Sequence, residues 1–424
     1  MRLHNTATNP AWLLTWFAAA IVVCATARGE TLTLSAATSE ALEHNPEIRA
    51  FSADVAAARG EVMTAVTWEN PELAVSPGAR NTKASGKTTT EFHSVFELKQ
   101  TIEFPGKRSL RRALAQKSVE SRQLALAGFR SQLAIQVRRV FYTLLASRQV
   151  AVLKEQRVAS AKTFAEAARK KVEGGFAPEF EATKAEVEVV SAQRAHREVQ
   201  AQVATAGAAL STLLGRKPGD VLEITGTLSE PVIVPDETNV LRQVFARNPS
   251  FKAQEAEVER TGLSAKSVRK SRLPDFTIGP SVEYLQDEQT YDFGISLPLP
   301  LWDRKKGAMT TATAEQEKAV AELDKLRQEI LRDVTTAYHN LASAKESLAL
   351  YTPEFLGKLR AALDAASQSY TEGRTTLLIY LETQRTYFDA QADYFETLQK
   401  LYDATAELET AVGVPLSELQ ENVK

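Results

Sequence analysis

Residues 107–172 read KRSLRRALAQKSVESRQLALAGFRSQLAIQVRRVFYTLLASRQVAVLKEQRVASAKTFAEAARKKV, and no proline interrupts the 72 residues between Pro105 and Pro178. A helix over that stretch is about 100 Å long at 1.5 Å rise per residue, far longer than a globular core can cover. The second half of the chain shows what such a helix packs against. Val320, Leu323, Leu326, Ile330, Val334, Ala337, Leu341, Ala344, Leu348 and Tyr351 recur at spacings of three and four, the apolar seam of a coiled coil. Tyr380, Tyr387 and Tyr394 step by seven, as do Phe388, Phe395 and Tyr402; a packing seam explains these rings better than a ligand box. Pro353 falls inside the second long helix and predicts a kink there. Glycines after Glu173 and Glu372 predict helix ends, each followed by a further helix.

The chain repeats itself. Asn45-Pro46 recurs as Asn248-Pro249 and Pro71 as Pro274, both 203 residues on. Phe96 recurs as Phe293, Lys107-Arg108 as Arg304-Lys305, and Phe141 and Leu144 as Tyr338 and Leu341, all 197 residues on. Glu173-Gly174 pairs with Glu372-Gly373 at 199 and Gly215 with Gly413 at 198. Landmarks in a fixed order argue duplication. The predicted organisation is a signal peptide at 1–27, a first repeat at 28–215, a linker at 216–240, a second repeat at 241–413 and a tail at 414–424. Each repeat reads as a helix, a β-hairpin and a long helical hairpin. The hairpins fall at 73–104 and 107–214 in the first repeat, and at 275–301 and 304–412 in the second. A short strand is expected in the linker near Leu222 to Thr225.

The strands follow from period two. Tyr291, Phe293, Ile295, Leu297, Leu299 and Leu301 alternate with smaller or polar residues, although Pro298 and Pro300 stand near the end of that run. Phe276, Ile278, Pro280, Val282 and Tyr284 share a face of its partner. In the first repeat Phe92, Phe96, Leu98, Ile102 and Phe104 lie opposite His93, Glu97, Lys99 and Glu103. Such strands are long enough to span an outer membrane when tilted. Four strands close no barrel, and open edges are not tolerated in lipid, so a membrane reading requires other copies of the chain.

Composition excludes several alternatives. The 424 residues are 44% apolar and 25% charged, a folded balance, and the net charge of -2 offers no field for nucleic acid. One cysteine permits no disulfide framework, and the five histidines are not spaced as metal ligands. No phosphate-binding glycine loop and no nucleophile–base set appears, so neither an enzyme nor a cofactor is expected. At the N-terminus, Arg2 precedes an apolar run from Ala11 to Val23, and Ala25-Thr26-Ala27 supplies a cleavage pattern after Ala27. Cys24 would leave with the peptide; lipid attachment at Cys24 is the competing reading, opposed by the bulk of Val23.

Together these features resemble the TolC-like outer membrane efflux proteins, from about Leu34 to Gly413. The residues that carry the resemblance are Asn45-Pro46, Gly106-Lys107-Arg108, Tyr370 three residues before Gly373, and Leu213-Leu214-Gly215 with its echo Ala411-Val412-Gly413. The run from Ile102 to Arg108 and the run from Glu181 to Ala185 look like the heavy-metal resistance members, of the cobalt-zinc-cadmium and copper-silver type. The resemblance implies a mainly α fold with a small β part, in which a homotrimer forms a twelve-stranded barrel joined to a twelve-helix tube. It implies an outer membrane duct extending into the periplasm, in contact with lipid, docked to a periplasmic adaptor and through it to an inner-membrane pump. It places an adaptor-docking tip at Val172, Glu173, Gly174, Gly175, Phe176, Thr371, Glu372, Gly373 and Arg374. A gate falls to Glu181, Tyr370 and Arg374, with the arginine and the tyrosine both donating to one carboxylate. Glu382 is implied as a lumenal acidic ring, single because Ile379 is apolar. A duct for type I protein secretion shares this fold; a periplasmic coiled-coil scaffold explains the helices but not the two alternating hairpins.

Overall fold

The computed structural model describes residues 31–84, 86–220, 222–228, 236–285 and 288–420. The expected signal peptide and Cys24 lie outside the described residues. The first repeat runs α1 (Leu34–His44), α2 (Pro46–Val66), β1 (Glu72–Ala84), β2 (Lys87–Ile102), α3 (Lys107–Glu173) and α4 (Glu179–Leu213). The second runs α5 (Glu237–Arg247), α6 (Pro249–Lys270), β3 (Phe276–Leu285), β4 (Glu288–Ser296), α7 (Lys306–Ala349), α8 (Pro353–Thr371), α9 (Leu377–Val412) and α10 (Leu416–Gln420).

Several elements differ from the sequence reading. The single opening helix of each repeat is two helices, because the residue before a proline is pushed out of the helical region. Asn45 and Asn248 are extended, and each caps the helix that its proline begins, accepting from Glu47 N (2.9 Å) and Phe251 N (3.0 Å). Their amides donate to Leu213 O and Ala411 O, so the repeated Asn-Pro ties each opening pair to the end of its own helical hairpin. Pro353 breaks the second long helix outright, leaving Leu350, Tyr351 and Thr352 between α7 and α8, with Thr352 capping Phe355 N at 3.1 Å. β4 stops at Ser296, since Pro298 and Pro300 cannot donate to a ladder. The expected linker strand is a single bridge between Leu32 and Ile224. The segment assigned as linker already contains the start of α5, and the expected tail contains α10.

The strands form one antiparallel sheet in the order β1-β2-β3-β4. Its register puts Leu73 beside Leu98, Val75 beside Phe96, Phe96 beside Val282, and Val282 beside Tyr291, all on one face. That apolar face is the bare one: Phe92 is 77% exposed, Phe293 65% and Ile295 72%. His93, Val95 and Glu97 on the opposite face are more covered. Below the sheet the helices continue the same order. α2 packs on α3, α3 on α6 and α6 on α7; lower down α4 packs on α3, α3 on α9, and α9 on α7 and α8. The described elements therefore form one wall, strands above and helices below, open along both sides. Among the described residues no helix is long and apolar enough to cross a membrane.

Among the described residues three apolar clusters hold the wall. One gathers Phe141, Leu144 and Leu210 with Tyr142 stacked on Tyr402 at 3.9 Å. Its counterpart gathers Val244, Val334, Leu341 and Leu408. The third, at the lower end, holds Phe164, Ala168, Ala185, Tyr370, Leu377 and Tyr380. The strand–helix junction is clamped by ion pairs: Lys107 with Asp275 (2.8 Å), Arg111 with Glu103 (2.8 Å) and Lys305 with Asp303 (2.5 Å). Asp275 also accepts from Phe104 N at 2.6 Å, joining the end of β2 to the start of β3.

Candidate functional site

The far end of the wall from the sheet carries two turns, and their hydrogen bonds are the same. In the first, Phe176 N donates to Lys171 O (2.8 Å) and Gly175 N to Val172 O (2.9 Å). In the second, Arg374 N donates to Ser369 O (2.8 Å) and Gly373 N to Tyr370 O (3.1 Å). This paired pattern closes a helix with a left-handed residue, which glycine adopts without steric cost. Gly175 has φ 73° and Gly373 φ 74°, whereas Gly174 and Glu372 are right-handed at φ -79°. The structural equivalents are thus Gly175 and Gly373, 198 residues apart, which corrects the pairing of Gly174 with Gly373. The turns expose Glu173, Gly174, Gly175, Phe176, Thr371, Glu372, Gly373 and Arg374, while Val172 is half-buried. Phe176 is the apolar exception at 86% exposure.

The four residues assigned to a gate do not form one cluster. Tyr370 is buried at 4%, between the rings of Phe164 (4.8 Å) and Tyr380 (5.9 Å). Lys171 Nζ sits 3.9 Å over its ring and donates to its carbonyl at 2.7 Å. The phenol pKa is raised above its ordinary value, first by burial and then by the nearby Glu181 carboxylate. Its hydroxyl faces the Glu181 carboxylate without closing a full hydrogen bond among the described residues. Arg374 pairs with Glu372 of its own turn, and Glu372 also accepts from Gln368 at 2.8 Å. Within the single chain the guanidinium thus turns to Glu372, and Glu181 is the carboxylate beside Tyr370. Glu382 is exposed on α9, and its side chain enters no ion pair among the described residues.

Two polar nodes above the tip escaped sequence reasoning. Arg157 of α3 is only 11% exposed and reaches Glu188 of α4 (2.6 Å) and Asp389 of α9 (3.5 Å), joining three helices. Gln384, 1% exposed, donates to Ser160 Oγ at 2.6 Å. Arg157 and Gln384 carry no spacing signal, because their partners lie on other helices. Among the described residues no group of three or more His, Cys, Asp or Glu could hold a metal ion.

Residues 37–216 and 240–414 match the family described as Outer membrane efflux protein. The chain is 28% identical over 384 residues to the cobalt-zinc-cadmium resistance protein CzcC of Cupriavidus metallidurans, covering 90% of each. It is 24% identical over 293 residues to the nickel-cobalt-cadmium resistance protein NccC of Alcaligenes xylosoxydans xylosoxydans, covering 68% of this chain and 66% of that one. In fold it is similar to the solved structure of CusC, with TM-score 0.75, 17% identity, and coverage of 90% and 92%. It is also similar to the outer membrane protein VceC of Vibrio cholerae, with TM-score 0.73, 17% identity, and coverage of 90% and 96%.

Proposed function

The chain belongs to the outer membrane efflux protein family, and on that premise we propose that three copies close into one duct whose cargo is divalent heavy-metal ions. The protein is an outer membrane channel of an efflux system and extends into the periplasm. The family is one of transport channels.

One observation carries the closed duct: the wall has two unsatisfied sides along its whole height. β1 and β4 are edge strands with apolar residues facing outward, and α2 with α4 on one side and α7 with α8 on the other end the helical series. Large apolar residues lie bare on these flanking helices and at the break between α7 and α8, among them Met63 (71%), Val187 (64%), Val190 (66%) and Leu350 (76%). Lipid tolerates no open edge, so the strands must pair with those of other copies. Three walls of four strands make a barrel of twelve. Crosslinking in mild detergent tests this. A ladder ending at three chains is expected, and a particle that stays monomeric overturns it.

The cargo reading rests on the resistance proteins among the relatives. The metal passes as cargo through a water-filled lumen, so no resident metal site is required. Deleting the gene is expected to sensitise cells to cobalt, zinc and cadmium salts; sensitivity to organic compounds alone would overturn the metal assignment.

The two tip turns, with exposed Phe176, Glu173, Glu372 and Arg374, form the surface that meets a periplasmic adaptor and, through it, an inner-membrane pump. Tyr370 and Glu181 form the resting latch just inside it, and Glu382 lines the lumen. Conductance of single channels tests the latch. Glu181→Ala with Tyr370→Phe is expected to open the resting channel, and Glu382→Ala to weaken block by multivalent cations. Unchanged conductance and unchanged block remove the latch and the ring.

A further inference from the structure

The strand–helix junction carries a surplus of positive charge in a chain whose net charge is -2. The three clamped cations described above are neutralised by their partners. Five more are not: Arg112, Arg269, Arg272, Arg304 and Lys306 are exposed and make no side-chain hydrogen bond or ion pair among the described residues. They come from three separate segments, before β3, after β4 and after β2, which the fold brings to one level.

That level lies on the outer side of the wall. Glu103 leaves β2 on the sheet's polar face and pairs with Arg111, which lines a cleft with Leu114, Ser118, Glu257 and Arg260. The opposite stripe of α3, Ser109, Arg112, Gln116 and Glu120, is exposed and recurs at helical spacing. Arg269 lies on the matching stripe of α6 with Glu255, Glu259 and Lys266. These stripes therefore continue the sheet's apolar face. After β4 the transition is explicit: Leu297, Leu299 and Leu301 are half or more exposed, Trp302 is 92% exposed, and Arg304 follows. At the other edge Trp68 is 52% exposed, with the Arg108 guanidinium 4.3 Å over its ring. An apolar band, then tryptophans, then unpaired cations is the order in which a bilayer presents acyl chain, interface and headgroup.

We propose that this basic collar binds the anionic phospholipid headgroups of the leaflet facing the periplasm and so sets the depth at which the duct sits. The proposal rests on the reading of the sheet as membrane-spanning. Charge complementarity selects the occupant: each cation near an anionic surface favours it by about fivefold. The continuity of the collar with the apolar face selects lipid over a soluble anion, which would have no use for the adjoining tryptophan.

The test uses the full chain, with a variant combining Arg112→Gln, Arg269→Gln, Arg272→Gln, Arg304→Gln and Lys306→Gln. Both are reconstituted in phosphatidylethanolamine vesicles with and without phosphatidylglycerol. Phosphatidylglycerol is expected to raise the unfolding midpoint of the wild type and to be retained in native mass spectra. The variant should lose both effects, with at least about tenfold less retained lipid. A second variant, Lys318→Gln with Lys325→Gln on α7, should behave as wild type, which separates the collar from general charge. Equal lipid preference in the collar variant and the wild type overturns the proposal. So does stabilisation by inorganic phosphate alone that matches the vesicles. A wild type recovered in the soluble periplasmic fraction instead overturns the premise that the sheet spans a membrane.

Discussion

The two helical hairpins descend from one duplicated plan but are supported differently. α3 is a continuous helix of 67 residues that packs on α2, α4, α6 and α9 at successive heights. Its counterpart is divided at Pro353, and the lower piece, α8, is braced chiefly by α9, with Tyr370 as its one buried residue. The first hairpin is a post, and the lower half of the second is a segment hung on a hinge and held by one aromatic anchor. Duplication set the length of both; one proline and the number of neighbours set their stiffness. If the tip is to open, α8 is the element whose displacement disturbs the least packing.

The sharpest way to break this comparison is to remove the anchor. Tyr370→Ala deletes the buried ring from between Phe164 and Tyr380, at a cost of about 3–5 kcal/mol. Hydrogen exchange should then accelerate through α8 and the start of α9 while α3 above Phe164 stays protected. Uniform acceleration of both hairpins would show that α8 is no separate unit.

The joint between the halves comes next. Glu409 of α9 is 1% exposed, pairs with Arg138 of α3 at 2.5 Å and accepts from Leu416 N at the start of α10. Glu409→Ala leaves both donors unpartnered, and a loss of about 2–3 kcal/mol is expected in chemical denaturation. Burial raises the carboxyl pKa above its ordinary value despite Arg138 and the Leu416 amide. A raised folded-state pKa means the folded chain binds the proton more tightly than the unfolded one. Its favourable contribution is then full below about pH 4.5, the ordinary range, and is lost as pH rises through the raised value. Glu409→Gln should remove that slope from the stability-against-pH curve, and an unchanged slope would clear Glu409 of it.

The turns give a smaller and more discriminating effect. Gly175→Ala and Gly373→Ala each force a side chain into the left-handed region, costing about 1 kcal/mol. Gly174→Ala keeps right-handed geometry; its added methyl crowds the Phe176 ring, which is exposed and free to turn, and meets Lys170 O at an ordinary 3.4 Å. It should cost less than either. Equal melting temperatures for all three variants would contradict the 198-residue alignment of the tips. The smallest effect on stability is Tyr370→Phe, within about 0.5 kcal/mol of wild type, because the hydroxyl closes no full hydrogen bond with Glu181 in the single chain.

Much of the fold was legible. The proline-free run from Lys107 marked the long helix, period two in the strands marked the apolar face, and the seam through Ile330, Val334, Ala337 and Leu341 marked the buried side of α7. The Asn-Pro pairs were visible as landmarks, but not as helix breaks tied to Leu213 and Ala411. Those hydrogen bonds join residues more than 160 positions apart, and no local pattern announces them. The candidate tip was legible as glycines after helices. Which glycine takes the left-handed position was not, because Gly174 and Gly175 are adjacent and identical and only the closing hydrogen bonds distinguish them.

Sequence alone determined what depends on period and on backbone chemistry: two long helical hairpins, four membrane-length strands with one apolar face, and their duplication. Side-chain alternation and the absence of proline act over neighbouring residues, so they can be read one segment at a time. Tertiary structure decided what depends on meeting: that strands and helices share one order in a wall open on both sides, that Arg374 turns to Glu372 while Tyr370 packs away among rings, and that Arg157 and Gln384 find partners across helices. A polar side chain's role is set by the group opposite it, and only the folded chain brings that group within bonding distance.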